Sequence, residues 1–316
     1  MVTLDIVIVN WNSGLQLKDC LSSIIKTNKT GLSIDRVVVV DNNSQDESIS
    51  SIIDLKKELP LEIIYNEENK GFGAACNQGA LNSKADYLLF LNPDTMLFEN
   101  SLINPLSFME KPENKKIGII GVQLLEEDGT VNRSCSKFPK AIHFVNKAFG
   151  LNRLAPNIFP TYKMETWDHN ENRQVDQVLG AFFLVRRELF EKLNGFDERF
   201  FVYFEEVDFS YRAFKEGYYS YYLADAQVFH KGGGVSEQIK ATRLFYSLRS
   251  RIQYSLKNHS LLNSIILIIV SLTVELFSRS CIAIAKGSLK QLKETLQGYS
   301  MLFSWLFSKV LKGGVN

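Results

Sequence analysis

The sequence predicts an α/β protein in which strands and helices alternate through the first 122 residues. Two observations lead to this prediction. Continuous runs of β-branched and other apolar residues recur at short intervals, and the segments between them have the apolar spacing of helices. Continuous apolar runs are typical of strands that are covered on both faces of a sheet. Strands that alternate with helices form βαβ units, so we expect parallel strands with right-handed crossovers.

Four strands and three helices can be placed on this pattern. The strands are predicted at Leu4–Asn10, Asp35–Asp41, Leu61–Asn66 and Asp86–Asn92, and the helices at Leu15–Thr27, Ser48–Leu59 and Ala74–Ser83. Each strand ends in a polar residue. Ligands of open α/β sheets bind beyond the carboxyl ends of the strands, so we expect these polar ends to line one crevice. The alternative is that Asn and Asp only begin turns there.

The second half of the domain is less regular. Residues 123–176 contain three prolines and scattered charges, and we interpret them as a variable insertion that contributes to acceptor binding. Val178–Phe200 is predicted to hold a strand and a short helix that stops near Gly195. A further strand is predicted to end at His230, ahead of three glycines.

The character of the chain changes after residue 236. Residues 237–258 are predicted to form a basic, aromatic helix, and Leu261–Val274 is apolar but shorter than the ~20 residues that span a bilayer. Glu275 and Arg279 then interrupt the apolar run. Residues 291–311 combine aromatic residues and leucines with flanking lysines, as in helices that lie in a membrane interface. A helical pair packed on the main domain is an equally good explanation.

Composition excludes several classes of function. With 36 Lys and Arg against 35 Asp and Glu, the net charge of +1 creates no global field for nucleic acid. The four cysteines contain no CxxC pair, which argues against a zinc site and a disulfide framework and fits a reducing compartment. The N-terminus reads as a strand and lacks the pattern of a signal peptide, so we expect a cytoplasmic protein.

Three strand ends carry residues suited to a nucleoside diphosphate. Asp41 can accept the ring N–H of a uracil or thymine base. The stretch NKGFGAACNQG places Gly71 and Gly73 before a helix, where backbone amides can approach a phosphate, and Lys70 adds a positive charge. Asp94, in FLNPDT, lies just beyond the fourth strand and can share a divalent cation with a diphosphate.

The stretch FVYFEEVDFSYR places Glu205, Glu206 and Asp208 among aromatic residues. Carboxylates in such surroundings are costly to desolvate unless they are paired, hydrogen-bonded or close to a metal. One explanation is a helix start, where acidic residues are favoured, and the other is a general base in a partly dry cleft. For Asp208 we expect a helix cap or an ion pair with Arg212.

Six motifs in a fixed order resemble the inverting glycosyltransferases of family 2, and more narrowly their bacterial rhamnosyltransferase-like members. They are IVIVNWNSGLQLKDCLSSI, VVVVDNNSQDES, NKGFGAACNQG, YLLFLNPDTML, GAFFLVRRELFEKLNGFDERFFVYFEEVDFSYRA and VFHKGGG. The resemblance implies a GT-A fold, which is Rossmann-like with a mixed sheet flanked by helices, and a C-terminal helical extension. It implies a transferase domain at 1–236, with a nucleotide-sugar-binding half (1–122) and an acceptor-binding, catalytic half (123–236). Residues 237–316 then form a separate, membrane-associating helical region.

The resemblance also implies the site residues. By position Glu206 matches the general base of the family, and Glu205 would hydrogen-bond an acceptor hydroxyl. A divalent cation, Mg²⁺ or Mn²⁺, would be held by Asp94 and His230. The first acid of the family's DxD metal motif is replaced here by Asn92. The residues implied in binding the nucleotide sugar are Asn10, Asn12, Asp41, Asn43, Lys70, Gly71, Asn77, Asn92, Asp94 and Arg249.

The activity implied is transfer of L-rhamnose from dTDP-rhamnose to a saccharide or polyprenyl-linked saccharide, in the synthesis of a cell-surface polysaccharide. The alternative donors are UDP-glucose, UDP-galactose and UDP-GlcNAc. A nucleotidyltransferase would carry a basic Gly-rich loop after the first strand, which NWNSGLQL lacks. A non-catalytic saccharide-binding protein is disfavoured because Asp94, Glu206 and His230 are all present. We expect peripheral association with the inner face of the cell membrane, with pairing of two copies as another use of the C-terminal helices.

Overall fold

A computed structural model describes residues 1–232 and 239–311, with side chains as far as residue 309. Two of the three glycines that follow Lys231, and Lys312, one of the lysines that flank the last predicted helix, lie outside the described residues. The chain forms two compact units. The first contains Met1–Phe138, Lys163–Glu198 and the segment that begins at Glu205 and ends after His230; the second contains Pro139–Tyr162, Arg199–Phe204 and the C-terminal helices. Two segments that precede residue 236 therefore belong with the C-terminal helices, which the predicted boundary did not anticipate.

The strands of the first unit form one mixed sheet. In chain order they are β1 (Val2–Asn10), β2 (Leu32–Asp41), β3 (Leu61–Tyr65), β4 (Tyr87–Leu91), β5 (Thr95–Leu97), β6 (Ile117–Leu125), β7 (Arg173–Val175), β8 (Phe182–Arg186) and β9 (Tyr219–His230). Their spatial order is β3-β2-β1-β4-β8-β6-β9-β5, and β7 pairs with β9. Strands β1 to β4 are parallel, whereas β8 is antiparallel to both β4 and β6. The predicted α/β fold with a mixed sheet is confirmed.

The helices complete the two units. In chain order they are α1 (Gln16–Ile25), α2 (Phe72–Ala80), α3 (Ile103–Met109), α4 (Ala141–Ala148), α5 (Leu151–Leu154), α6 (Arg187–Lys192), α7 (Glu205–Lys215), α8 (Lys240–Asn258), α9 (Leu261–Val270), α10 (Leu276–Ala285) and α11 (Leu289–Leu311). The helix predicted at 48–59 is a 3₁₀ helix, Ser50–Lys57. The segment 123–176, predicted to be irregular, holds α4, α5 and β7.

Strand β1 shows why the predicted strands read as continuous apolar runs. Its side chains alternate between the two faces of the sheet, and both faces are covered. Leu4, Ile6 and Ile8 belong to the core under α1, whereas Val7 and Val9 belong to the core under α2. Helix α2 approaches the sheet closely, because a Cβ at Gly79 would lie 2.4 Å from Val7 Cγ1. A glycine is therefore required there.

His169 anchors the segment that precedes β7. Its ring is fully buried, and Nε2 accepts the backbone N–H of Cys135 at 3.1 Å. Nδ1 lies 2.9 Å from the carbonyl oxygen of Trp167. The carbonyl oxygen of His169 accepts from Gln123 at 2.9 Å and from Tyr222 at 3.0 Å, which ties the segment to β6 and β9. Sequence patterns missed this anchor, because its partners are distant in the chain.

We expect the destabilisation caused by His169→Gln to be largest near pH 7.5 and to shrink towards pH 5.5. Burial lowers the pKa of His169 below its ordinary value of 6.5. Below about pH 6.5 the unfolded chain binds a proton that the folded chain does not, so the contribution of His169 to stability is lost as the pH falls. Urea-unfolding free energies of the two proteins across this range measure the difference. A difference that does not change with pH would contradict the prediction.

The second unit is organised around α8. Phe201 stacks on Tyr246 with ring centroids 4.6 Å apart, and Phe204 lies 5.4 Å from Tyr254. The ring Nε2 of His259 lies 2.8 Å from the carbonyl oxygen of Pro139. These contacts explain why residues 139–162 and 199–204 belong with the C-terminal helices.

Helices α9 and α10 are joined by a π-helical turn, Ser271–Glu275, into one helix, Leu261–Ala285. This helix has 25 residues, and its most apolar stretch has a mean hydropathy of 2.1, with 17% of that stretch buried. By length and composition it is long and apolar enough to cross a membrane. The helix continues past Glu275 and Arg279, which interrupt the apolar run, so it is longer than that run. Glu275 Oε2 pairs with Arg251 at 2.6 Å and Oε1 with Arg279 at 2.7 Å, so both oxygens of this carboxylate are paired within the unit.

Candidate active site

The carboxyl ends of β1 and β2 meet in a buried hydrogen-bond network. Asn10 Nδ2 donates to Asp41 Oδ1 at 2.8 Å and to the hydroxyls of Ser44 and Ser48 at 2.9 and 2.8 Å. Asn10 Oδ1 accepts from the hydroxyl of Ser13. Asp41 Oδ2 accepts the backbone N–H of Ser44 at 3.2 Å. The structure therefore brings the two predicted residues together and holds the Asp41 carboxylate in one orientation.

Asn12 and Asn43 shape the loops that follow these strands. Both have positive φ, at 51° and 63°, a region that asparagine tolerates better than most residues. Asn12 Oδ1 accepts the backbone N–H of Gln45 at 2.7 Å, and Asn43 Oδ1 accepts from the Gln45 side chain at 3.0 Å. The two predicted residues thus lie at the same edge of the sheet, joined through Gln45.

The loop before α2 is held by a neighbouring amide network. Gly71 has φ 89°, which favours glycine, and its N–H donates to Asn69 Oδ1 at 2.9 Å. Its carbonyl oxygen accepts from Asn42 at 3.2 Å, and Asn42 Oδ1 accepts from Asn66 at 2.9 Å. Lys70 is exposed beside this loop. Asn42 was not among the predicted site residues, although it directly follows Asp41 at the end of β2.

Asn77 has a different environment from the one its predicted role requires. Its Nδ2 donates to the carbonyl oxygen of Phe196 at 2.9 Å and to Glu198 at 3.0 Å. Its Oδ1 accepts the backbone N–H of Phe196 at 2.9 Å. The whole amide therefore fixes the loop after α6, which is a structural role. Contact between Asn77 and a nucleotide sugar remains a prediction that the geometry does not support.

Strand pairing brings Asp94 and His230 together. Strand β5 pairs with β9 so that Thr95 lies opposite His230, and the carbonyl oxygen of Asp94 accepts the backbone N–H of Lys231 at 3.1 Å. Asp94 Oδ1 is 3.4 Å from His230 Nε2. Asp94 Oδ1 and His230 Nδ1 are both buried without a hydrogen-bond partner among the described residues. A carboxylate oxygen and an imidazole left in this state fit a divalent cation.

Among the described residues, Asp94 and His230 are the two predicted metal ligands, and they lie side by side. Within residues 1–232 and 239–311, no group of three or more His, Cys, Asp or Glu side chains could hold a metal ion. A cation here would take its other ligands from phosphate and water oxygens, as Mg²⁺ commonly does. The pair adjoins a cavity of about 240 Å³, which is lined by Gln16, Asp19, Asp94, Thr95, Met96, Glu127, Phe229 and Lys231.

Helix α7 begins with the two adjacent glutamates. The residues immediately before it, Tyr203 and Phe204, have φ of 68° and 73°, which is strained for aromatic residues and is often found at functional sites. Asp208 pairs with Arg212 at 2.8 Å, and this ion pair confirms the prediction made for that residue. Asp208 therefore has a structural role in α7, and the roles of Glu205 and Glu206 need a separate explanation.

The two glutamates differ sharply in exposure. Glu205 is 4% exposed, and its Oε2 has no hydrogen-bond partner within the described parts of the chain. Burial, together with the charge of Glu206, raises the pKa of Glu205 well above its usual range. Glu206 is half-buried as a residue, although its Oε2 is buried as well. Glu205 thus has little surface to offer an acceptor, contrary to its predicted contact, whereas part of Glu206 is exposed.

The turn before β8 connects the start of α7 with the end of β4. Gly180 faces the side chain of Glu206, because a Cβ at Gly180 would lie 3.8 Å from Glu206 Cγ. The carbonyl oxygen of the next residue, Ala181, accepts the backbone N–H of Asn92 at 3.0 Å. Asn92 in turn accepts from Thr95, which pairs with His230. Backbone contacts thus connect the start of α7, where Glu206 lies, with the segment that holds Asp94.

Comparison with known proteins identifies the family. The model of glycosyl transferase family 2 matches residues 5–194, more than half of the chain. The chain belongs to this family. Glu206 and His230 lie beyond the matched segment, so their place in the site rests on the geometry described above.

Similar proteins include rhamnosyltransferases. The chain is 26% identical to N-acetylglucosaminyl-diphospho-decaprenol L-rhamnosyltransferase of Mycobacterium tuberculosis over 274 residues, which cover 81% of this chain and 85% of that protein. It is 26% identical to rhamnosyltransferase WbbL of Escherichia coli K12, over 56% of this chain and 64% of that one. The predicted enzyme class, a glycosyltransferase similar to rhamnosyltransferases, is confirmed.

A solved structure confirms the fold. The mannosyltransferase PcManGT from Pyrobaculum calidifontis, in complex with GDP-Man and Mn²⁺, is 15% identical and superposes with a TM-score of 0.56, over 97% of this chain and 87% of that one. The chain described here thus has the predicted GT-A fold with C-terminal helices.

Arg249 is the one predicted donor residue of the glycosyltransferase that lies in the second unit. It is half-buried on α8, with its guanidinium over the ring of Trp305 at 5.7 Å. The other predicted residues all belong to the first unit. Two residues that were not predicted also line the cavity beside Asp94. Lys231 directly follows His230 in the chain, and Asp19 lies on α1.

Proposed function

We propose that this glycosyltransferase transfers L-rhamnose from dTDP-rhamnose, with inversion, to a saccharide carried on a polyprenyl diphosphate. The observation that carries the proposal is the Asp94–His230 pair, with Asp94 Oδ1 3.4 Å from His230 Nε2, beyond the carboxyl ends of the strands that hold Asn10 and Asp41. Similarity to the mycobacterial rhamnosyltransferase over 81% of the chain supports the choice of donor and acceptor. The product would enter a cell-surface polysaccharide.

An inverting transfer needs a base on the acceptor side of the sugar. Glu206 is the residue to take the proton from the acceptor hydroxyl as its oxygen bonds to the anomeric carbon and the bond to the nucleoside diphosphate breaks on the opposite face. Glu205 is buried and its pKa is raised well above its usual range, so Glu206, which is partly exposed, is the better candidate for the base.

The donor side is served by the strand ends. The Asp41 carboxylate uses two of its acceptor sites within the protein and has others left for the ring N–H of thymine. Lys70 is exposed beside the α2 loop, where its charge favours a diphosphate. Asp94 and His230 would hold Mg²⁺ or Mn²⁺, which when bound supplies stabilisation of the charge that develops on the leaving diphosphate.

Release of nucleoside diphosphate across a panel of nucleotide sugars tests the proposal. With a polyprenyl-diphosphate-linked GlcNAc as acceptor, we expect turnover of dTDP-rhamnose and little turnover of UDP-glucose, UDP-galactose or UDP-GlcNAc. Turnover of only a UDP-sugar would contradict the donor and keep the family. Absence of transfer from any donor in the presence of Mg²⁺ and Mn²⁺ would contradict the proposal as a whole.

We also propose that the second unit places the enzyme on the inner face of the cell membrane. Helix Leu261–Ala285 exposes large apolar residues, among them Leu262, Ile269, Phe277 and Ile284. Lys286, Lys290 and Lys293 follow it in the chain, and each lysine near anionic lipid is worth on the order of 1 kcal/mol. One side of this helix packs on α8, where Glu275 forms an ion pair with Arg251. Because the polar side is held by the protein and the apolar side is exposed, we favour a helix that lies in the membrane interface over one that crosses the bilayer.

We expect the protein to co-sediment with anionic vesicles in a salt-sensitive manner, and Leu262→Glu to lower the bound fraction about tenfold. A carboxylate on the lipid-facing side must be desolvated or must lift the helix from the surface. The matched control is Leu81→Glu in the first unit, because Leu81 and Leu262 are 66% and 68% exposed. Equal binding of both variants would place the membrane contact elsewhere. Absence of binding by the unaltered protein would favour the alternative that these helices join two copies.

A further inference from the structure

Two arginines of α8 lie two residues apart and have opposite environments. Arg251 is 7% exposed, and its guanidinium donates to Ser271 at 3.0 Å and to Glu275 at 2.6 Å. Arg249 is half-buried, but its Nε is buried without a partner, and no hydrogen bond or ion pair of its side chain exists within residues 1–232 and 239–311. Burial also lowers its pKa from the ordinary arginine value. Arg251 is thus paired with an acid, whereas Arg249 has no acidic partner among the residues that the structure describes.

The surroundings of Arg249 are aromatic rather than acidic. Its guanidinium lies 5.7 Å from the ring centroid of Trp305 on α11, and Tyr246 lies one turn earlier on the same face of α8. Helix α8 contains no Asp or Glu. Helices α8 and α11 run side by side, since a Cβ at Gly298 would lie 2.8 Å from the carbonyl oxygen of Ala241. The stacked ring orients the planar guanidinium and leaves its N–H groups to an external acceptor.

We propose that Arg249 and Trp305 form a binding site for a phosphate or diphosphate group, and that its ligand is the diphosphate of the lipid-linked acceptor. A planar arginine fork matches phosphate oxygens, and a desolvated guanidinium gains most from such an anion. The lipid source follows from position, because α11 belongs to the same unit as the exposed apolar helix Leu261–Ala285. This assignment rests on the proposed lipid-linked acceptor, and it replaces the donor-binding role predicted for Arg249.

Calorimetric titration of the full chain with three probes tests the site. The probes are farnesyl diphosphate, farnesol, which has the same chain without the charge, and dTDP. We expect Arg249→Gln to weaken farnesyl diphosphate binding about 10- to 100-fold, the usual worth of hydrogen bonds to a charged group, and to leave dTDP binding within twofold. Arg249→Lys keeps the positive charge but loses the planar guanidinium, so its affinity for farnesyl diphosphate should lie between those of the unaltered protein and Arg249→Gln. It also serves as a second variant if Arg249→Gln folds poorly.

Arg243→Gln is the matched control, because Arg243 is an exposed arginine on the same helix. We expect it to leave both affinities within twofold. Equal losses in Arg243→Gln and Arg249→Gln would mean a diffuse positive field, and a loss confined to dTDP would return Arg249 to the donor site. Unchanged binding of both probes, equal binding of farnesol and farnesyl diphosphate, or no binding to the unaltered protein would each overturn the proposal. The transfer assay is independent, so an inactive enzyme with Arg249-dependent diphosphate binding would contradict only the proposed function.

Discussion

Glu206→Gln is expected to lower kcat by about 10²–10⁴-fold, the usual contribution of general-base catalysis, and to leave the affinity for dTDP unchanged. The amide keeps the size of the side chain and cannot take the acceptor's proton. Steady-state turnover of dTDP-rhamnose and calorimetric titration of dTDP separate the two effects. Loss of both turnover and dTDP affinity would mean that Glu206 supports the donor site instead.

Glu205→Gln is the matched control for this prediction. Glu205 is buried, and burial together with the adjacent Glu206 charge raises its pKa well above the usual range, which favours its protonated form. Exchange of this acid for an amide of the same shape should leave kcat within about tenfold, a much smaller effect than the loss of the base. The reverse outcome, an inactive Glu205→Gln and an active Glu206→Gln, would move the base to the buried residue.

Asp94→Asn is expected to reduce turnover by roughly 10²–10³-fold, the cost of removing one group that stabilises charge in a transition state. It should also weaken the Mn²⁺-dependent part of dTDP binding, because Asp94 supplies the only carboxylate of the Asp94–His230 pair. Titration of Mn²⁺ alone, followed by electron paramagnetic resonance, measures the site without turnover. His230→Gln should have a smaller effect on Mn²⁺ binding, since the amide oxygen of glutamine can still act as a ligand.

Asp19→Asn is the control for Asp94, because both carboxylates line the same cavity and only Asp94 lies beside His230. If the two variants lose Mn²⁺ affinity equally, the cation is held by the general charge of the cavity rather than by the pair. Full activity of the enzyme in excess EDTA would remove the metal from the proposed function altogether.

Comparison of the predicted and observed elements shows how far local patterns reach. Strands β1 to β4 and helices α1 and α2 were predicted within a few residues, because apolar periodicity is a property of neighbouring residues. Strands β5, β6 and β7 were missed: β5 and β7 have three residues each, too few for a periodic signal, whereas β6 is a nine-residue apolar run that the prediction passed over. The helix Leu261–Ala285 extends beyond the apolar run Leu261–Val274, and Glu275, which follows that run, is paired with Arg251 and Arg279.

The sequence by itself determined the α/β class, the polar strand ends and the family, because each depends on residue order and spacing. It also placed Asp41, Asp94, Glu206 and His230 as candidates. Only the tertiary structure decided how they are arranged. Pairing of β5 with β9 brings Asp94 to His230, and the turn at Gly180–Ala181 lies beside the Glu206 side chain and accepts the backbone N–H of Asn92.

The same distinction separates residues that look equivalent in the sequence. Glu205 and Glu206 are adjacent acids, and Arg249 and Arg251 are nearby arginines, yet one residue of each pair is buried and the other is half-buried. Asn77 lies in a motif beside residues of the donor site, but its amide is used by the backbone of Phe196. Burial and hydrogen-bond partners are supplied by residues far away in the chain, and protonation and ligand contact depend on both, so no local pattern could have decided them.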